Sequence, residues 1–206
     1  MKKSVKKANS KNVEIVMLLD RSGSMALIQS DMEGAINTYV KDQQKSNPKA
    51  KFTFAQFDTE YELLHDGVDI KSIKHLELHP RGNTALLDAI GKTINVTSQR
   101  SKNMVLFVIV TDGQENSSHE FSRSQIFDMI KVQKDNGWDF VFLGANQDAI
   151  QAGEGIGISA GKCLTYKASK KGTRAMGQSL CCYTQSFSAC GQSANFTQKD
   201  RDEQKE

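Results

Sequence analysis

A chain of 206 residues, 38% of them hydrophobic, is long enough for one compact domain with a substantial core. Its formal charge of +3 does not mark a nucleic-acid binder: five lysines (Lys2, Lys3, Lys6, Lys7, Lys11) sit without an acid in residues 1–11, and 27 minus 5 leaves 22 basic against 24 acidic residues, a body near −2. No run approaches the roughly 18 apolar residues of a membrane span, and no apolar stretch follows the basic N-terminus as in a secretory signal, so the expected location is the cytoplasm.

Residues 1–11 lack apolar periodicity and read as a flexible, solvated basic arm, with a polyanion-binding arm as the competing reading. Val13 to Leu19 is almost continuously apolar, Glu14 apart, and predicts a buried strand ending at Asp20. From Met25 the period changes: Met25, Ile28, Met32, Ala35 or Ile36, and Tyr39 fall on one face of an amphipathic helix that should end before Pro48. "FTFAQF" (Phe52 to Phe57) and "YELLHDGV" (Tyr61 to Val68) are strands joined by three residues, a link short enough for an antiparallel hairpin and too short for a parallel crossover. Residues 69–79 give no decisive pattern. A helix follows the turn signals of "HPRGNTALLDAI", with Leu86 or Leu87, Ile90 and Ile94 on one face.

"NMVLFVIVTDG" (Asn103 to Gly113) carries the most apolar strand, and it too stops at an aspartate, Asp112. Ser124 to Asn136 reads as a helix, "GWDFVFLGA" as a strand, the stretch from about Asn146 as a short helix, and Lys162 to Ala168 as a last strand. Met176, Leu180, Tyr183, Phe187, Cys190 and Ala194 step by four and three, which predicts a C-terminal helix with Cys190 in the core. Residues 196–206 are a charged, frayed tail. Strands alternating with helices imply an α/β layer sandwich, a single domain over residues 12–195 with a mostly parallel sheet and one antiparallel strand at an edge. Cys163, Cys181, Cys182 and Cys190 form no C-x-x-C pair and lie far from the histidines, so they read as reduced packing cysteines, not a zinc site.

In open parallel sheets ligands gather beyond the carboxyl ends of the strands. Asp20 and Asp112 are each the first charged residue to end an apolar run. Ser22 and Ser24 extend from the Asp20 loop, and Thr84 lies in the Gly-flanked turn before a helix. Two carboxylates and three hydroxyls from three segments are oxygen-only donors, suited to a hard cation: Mg²⁺ above all, with Ca²⁺ or Mn²⁺ as alternatives. A cation would relieve the repulsion between the two carboxylates. Gly23, Gly82 and Gly113 let the loops turn tightly. The string D-x-S-x-S is weakly specific alone; its place after a buried strand, with Thr84 and Asp112 following in order, makes it specific.

"DRSGSM", "GNTALLDAI" and "VIVTDG" together resemble the metal-ion-dependent adhesion site of the von Willebrand factor type A domain family, over about residues 12–195. The resemblance implies a Rossmann-like three-layer sandwich whose six-stranded sheet has five parallel strands and one antiparallel edge strand. It implies that Ser22, Ser24 and Thr84 offer hydroxyls to a metal, with Asp20 and Asp112 binding directly or through water. It also implies a metal-dependent protein-binding module, the ion's coordination being completed by an Asp or Glu of a protein partner. Without a secretion signal, ATPase region or second domain, the chain is most similar to stand-alone bacterial or phage members.

Two other functions compete. A metal-assisted hydrolase acting on phosphate esters would need a nucleophile or base beside the ion. Glu115 and His119 are the nearby candidates, though the D-x-D pair of aspartate-nucleophile phosphatases is absent, since Ser22 stands at its second position. Nucleic-acid binding through residues 1–11 would be strongly salt-dependent. "GEGIGISAG" (Gly153 to Gly161) opens no clear helix and reads as a loop, not a nucleotide fingerprint. The expectation is therefore a binding module, not an enzyme.

Overall fold

A computed structural model of the chain describes residues 13–146, 148–191 and 194–204. The expected basic arm and the side chain of Cys190, expected in the core, lie outside the described residues. Strand β1 (Val13–Asp20) is buried along its whole length, as a central strand covered on both faces must be. Its neighbours β2 (Lys51–Phe57) and β4 (Met104–Thr111) both run parallel to it. Beyond β2 lies the antiparallel β3 (Tyr61–Asp69). Beyond β4 come β5 (Asp139–Ala145) and β6 (Cys163–Tyr166), both parallel. The order β3-β2-β1-β4-β5-β6 is the mostly parallel six-stranded sheet expected, with its antiparallel strand at an edge.

Alternation along β1 divides the core in two. Ile15, Met17 and Leu19 face helices α1 (Gln29–Ser46) and α5 (Lys170–Cys190), packing with Met32, Ile36, Tyr39 and Leu180. Val16 and Leu18 face the other layer, where α2 (Leu86–Arg100), α3 (Arg123–Asp135) and α4 (Ala149–Glu154) contribute Ile90, Ile94, Ile126, Ile130 and Ala149. Helix, sheet, helix make the three layers of the Rossmann-like sandwich.

Local differences from the sequence reading have physical causes. The helix expected from Met25 begins as a 3-10 turn, Gly23–Ile28, with Met25 and Ile28 buried; residues three apart eclipse on such a turn, so the same spacing serves both conformations. Helix α5 stops at Cys190 because Gly191 takes a left-handed φ of 64°, which leaves Ala194 beyond the helix, packed on the core from a loop. The C-terminal segment is not frayed: Phe196 meets Tyr183 at 5.1 Å between ring centroids, and a Thr197–Asp200 capping box starts helix α6 (Gln198–Glu203). Of the cysteines read as packing residues, Cys163 is buried, Cys181 half-buried, and Cys182 exposed.

After a short 3-10 turn (Ile70–Ser72), the undecided segment runs as a strap over α1, burying Ile73, Leu76 and Leu78. Its backbone bonds go to side chains: Asn37 takes both polar groups of Leu76 at 2.8 and 2.9 Å, and Gln44 caps the carbonyls of Ile70 and Ile73, each at 2.9 Å. No described helix is long and apolar enough to cross a membrane.

Candidate functional site

The sheet order places the topological switch between β1 and β4, and open α/β sheets bind ligands in the crevice at that point. Asp20 is the last residue of β1, and Asp112 follows the last residue of β4. The two carboxylates therefore come from adjacent strands at the same edge.

A continuous run of hydrogen bonds joins them. Asp20 Oδ1 accepts from the Ser22 amide at 2.6 Å, and Asp20 Oδ2 from the Thr111 hydroxyl at 2.5 Å. Ser22 Oγ lies 3.1 Å from Ser24 Oγ, and Ser24 Oγ donates to Asp112 Oδ1 at 2.6 Å. Thr84, buried just before α2, enters from the third segment: the Gly23 amide donates to Gly82 O at 3.1 Å and holds the two loops together. Gly113 shows how closely they converge. A Cβ there would stand 2.7 Å from Thr84 Oγ1 and 3.6 Å from both Asp20 Oδ2 and Ser22 Oγ. All five side chains expected from the sequence gather in one crevice.

The three glycines differ in role. Gly82 adopts a left-handed φ of 66°, while Gly113 is needed for lack of a side chain. Gly23 has neither requirement: a Cβ there would make only an ordinary 3.5 Å contact.

Several supporting residues escaped the sequence reading. Thr111 orients Asp20. Asn116 holds Thr84, accepting its amide at 3.0 Å through Oδ1 and donating its own amide to the Thr84 carbonyl at 3.1 Å. Buried Arg21 and exposed Arg81 both donate from Nε to Asp58 Oδ2, at 2.9 and 2.7 Å, and so tie the Asp20 loop to the segment leading into Thr84. Burial works to raise the Asp58 pKa, but the Glu60 amide and both guanidiniums outweigh it and hold the carboxyl below its ordinary value. Thr111, Arg21 and Arg81 stood inside "VIVTDG", "DRSGSM" and "HPRGNTALLDAI", and Asn116 three residues beyond Gly113, but nothing in the sequence showed what each would hold or paired the arginines with Asp58.

The two site carboxylates shift in the direction opposite to Asp58. Burial pushes Asp20 up to about 6, against the bonds from Thr111 and Ser22 and with the charge of Asp112 adding to the rise. Burial also raises Asp112, against the Ser24 bond. The described groups that act most strongly on either include no Lys, Arg or His side chain. Among the described residues no three His, Cys, Asp or Glu side chains gather into a metal-holding group, so the donors on offer are two carboxylates and three hydroxyls. That set fits a hard cation that accepts oxygen ligands and not the nitrogen and sulfur chemistry of zinc.

Glu115 is engaged elsewhere. It accepts from the amides of Leu87, Ser117 and Ser118 at 2.9, 2.9 and 2.8 Å and from the Ser118 hydroxyl at 2.7 Å, pinning the loop after Asp112 to the start of α2. The His119 amide donates to Asp88 at 2.8 Å, and its residue is exposed.

The family model for the von Willebrand factor type A domain matches residues 14–176. No curated protein matches the chain. Among solved structures, a mutant of the PilB minor pilin from Streptococcus sanguinis superposes with a TM-score of 0.64 at 12% identity, covering 89% of this chain and 64% of that one. The pilus adhesin SpaC from Lactobacillus rhamnosus GG gives 0.63 at 13%, covering 85% and 30%. Proximal thread matrix protein 1 from the mussel byssus gives 0.60 at 15%, covering 85% and 46%. The chain thus spans less than two thirds of the length of these proteins, and the likeness is one of fold.

Proposed function

The chain belongs to the von Willebrand factor type A domain family, and from that premise we propose that it is a divalent-cation-dependent protein-binding module, its strand-end oxygens holding Mg²⁺ and, through it, an Asp or Glu of a partner. One observation carries the reading: Asp20 is 0% exposed with only neutral donors and another carboxylate around it. Buried charges in proteins are paired or coordinate metals. Asp20 and Asp112 supply the negative charge, and Ser22, Ser24 and Thr84 the neutral oxygens. Thr111 and Asn116 orient them. A bound Mg²⁺ supplies the missing positive charge and an attachment point for an outside carboxylate; Ca²⁺ and Mn²⁺ suit the same donors. The likeness to a pilus adhesin and a minor pilin supports a binding role.

A phosphate-ester hydrolase draws less support. Four donors already occupy the Glu115 carboxylate, which leaves it a poor base beside the ion.

Titration of the full chain with MgCl₂ in a calorimeter tests the proposal. The wild type is expected to bind saturably in the millimolar range or tighter, Asp20→Ala to lose that binding, and partner capture to fall away in EDTA. Dilution heats alone for the wild type, with MgCl₂ and with MnCl₂, would overturn it.

A further inference from the structure

Register brings one more oxygen to the crevice. Thr111 of β4 pairs with Gly144 of β5, and Ala145 pairs with Tyr166 of β6. One residue past Thr111, Asp112 comes level with Ala145 and Tyr166, in a row across three strand ends. The three also share a face. Val108 and Val110 of β4, Ala145 and Tyr166 all belong to the core layer under α1 and α5, and Asp112 continues the alternation of Val108 and Val110. Neighbouring strands lie about 4.8 Å apart, so Asp112 and Tyr166 are separated by two strand spacings, with the small Ala145 level between them. A phenol can reach across such a gap.

The Tyr166 hydroxyl is buried and has no protein hydrogen-bond partner among the described residues, although buried hydroxyls are ordinarily satisfied. Burial drives its pKa well up, and the ionised groups that add to the rise are Asp112 first and then Asp20. An unpaired donor therefore sits within electrostatic reach of the two carboxylates of the crevice and has no competing partner.

We propose that Tyr166 is a positioning residue for Asp112, its hydroxyl donating to that carboxylate, directly or through one water, when the crevice is loaded with a divalent cation. The inference rests on the metal reading of the site. Groups that orient ligands from behind typically change metal affinity by about 10- to 100-fold when removed. No protein group pairs with the hydroxyl among the described residues, so its removal should not weaken the fold in the absence of the ion.

Thermal unfolding of the wild type and Tyr166→Phe, with EDTA and across a MgCl₂ series, separates the possibilities. The expected result is an unchanged or raised Tm for Tyr166→Phe in EDTA, together with an apparent Mg²⁺ dissociation constant about tenfold weaker. Equal Mg²⁺ affinity in the two proteins would overturn the role of Tyr166 while leaving the metal reading in place. A lowered Tm in EDTA, with affinity unchanged, would show the hydroxyl to be a packing element and also overturn it. No Mg²⁺ response in the wild type would remove the metal reading itself.

Discussion

The two ends of β1 each bury a carboxylate and treat it in opposite ways. Glu14 and Asp20 are both 0% exposed and sit on the same strand. Glu14 accepts from Thr53 Oγ1 at 2.8 Å and from two nitrogens of Arg100, at 3.1 and 2.5 Å. Burial works to raise its pKa, but Arg100, Ser101 and Thr53 outweigh it and the carboxyl ends below its ordinary value. Asp20 has neutral donors only and ends above its ordinary value, at about 6. The fold supplies a cation for the first and none for the second among the described residues; under the proposed function, a ligand brings that missing charge. Buried ion pairs are a weak source of net stability, but removing one partner is severe because it strands a charge. At the base of β1 that severity falls on the fold, and under the proposed function it falls at the top on ligand binding.

Breaking the internal pair should give the largest effect. Arg100→Met leaves Glu14 buried without its cation, and urea denaturation at pH 7 is expected to show a loss of about 3 kcal/mol, with Mg²⁺ affinity unmoved. A loss below about 1 kcal/mol, the range of exposed pairs, would mean that β1 tolerates an unmatched carboxylate and that Asp20 signals nothing.

The second effect is one of sign. A carboxyl whose folded pKa exceeds its unfolded one binds extra protons in the folded state, so stability falls as pH rises through that window. For Asp20 the window runs from 3.8 to about 6, and the metal-free protein should lose up to about 3 kcal/mol across it. Asp20→Asn should flatten this decline, as should saturating MgCl₂. Glu14 has the opposite sign: its contribution is present above the ordinary 4.5 and is lost as pH falls through the depressed folded value. Stability curves in EDTA from pH 3 to 8 check both. An Asp20→Asn curve parallel to the wild type would refute the uncompensated charge.

The same contrast explains what could be read from sequence. The sheet was legible because burial on both faces writes continuous apolar runs, and the short "DTE" link allowed only an antiparallel partner. The five oxygen-bearing residues were legible because each follows an apolar run or sits in a glycine turn. The strap over α1 was not, since its backbone is satisfied by Asn37 and Gln44, and side-chain partners leave no period. Arg100 was equally silent, being one basic residue at a helix end whose partner lies 86 positions away. Tyr166 lay unremarked in the last strand, and only register across three strands sets it level with Asp112.

Gly113→Ala should give the smallest effect on the fold and sharpens the account of the upper end alone. The added methyl would meet Thr84 Oγ1 at 2.7 Å, too close to stand, yet the obstruction is the end of a short side chain. Rotation of Thr84 about χ1 relieves it at a cost of about 1 kcal/mol and carries the hydroxyl away from Asp20 and Ser22. Asn116 holds the Thr84 backbone in place throughout, so the loop itself need not move. The expected outcome is near-normal stability in EDTA with Mg²⁺ binding weakened about tenfold, measured by calorimetry. If affinity survives while the Thr84 side chain has demonstrably turned, the hydroxyl is not a ligand, and the cation is held by Asp20, Ser22, Ser24 and Asp112 without it.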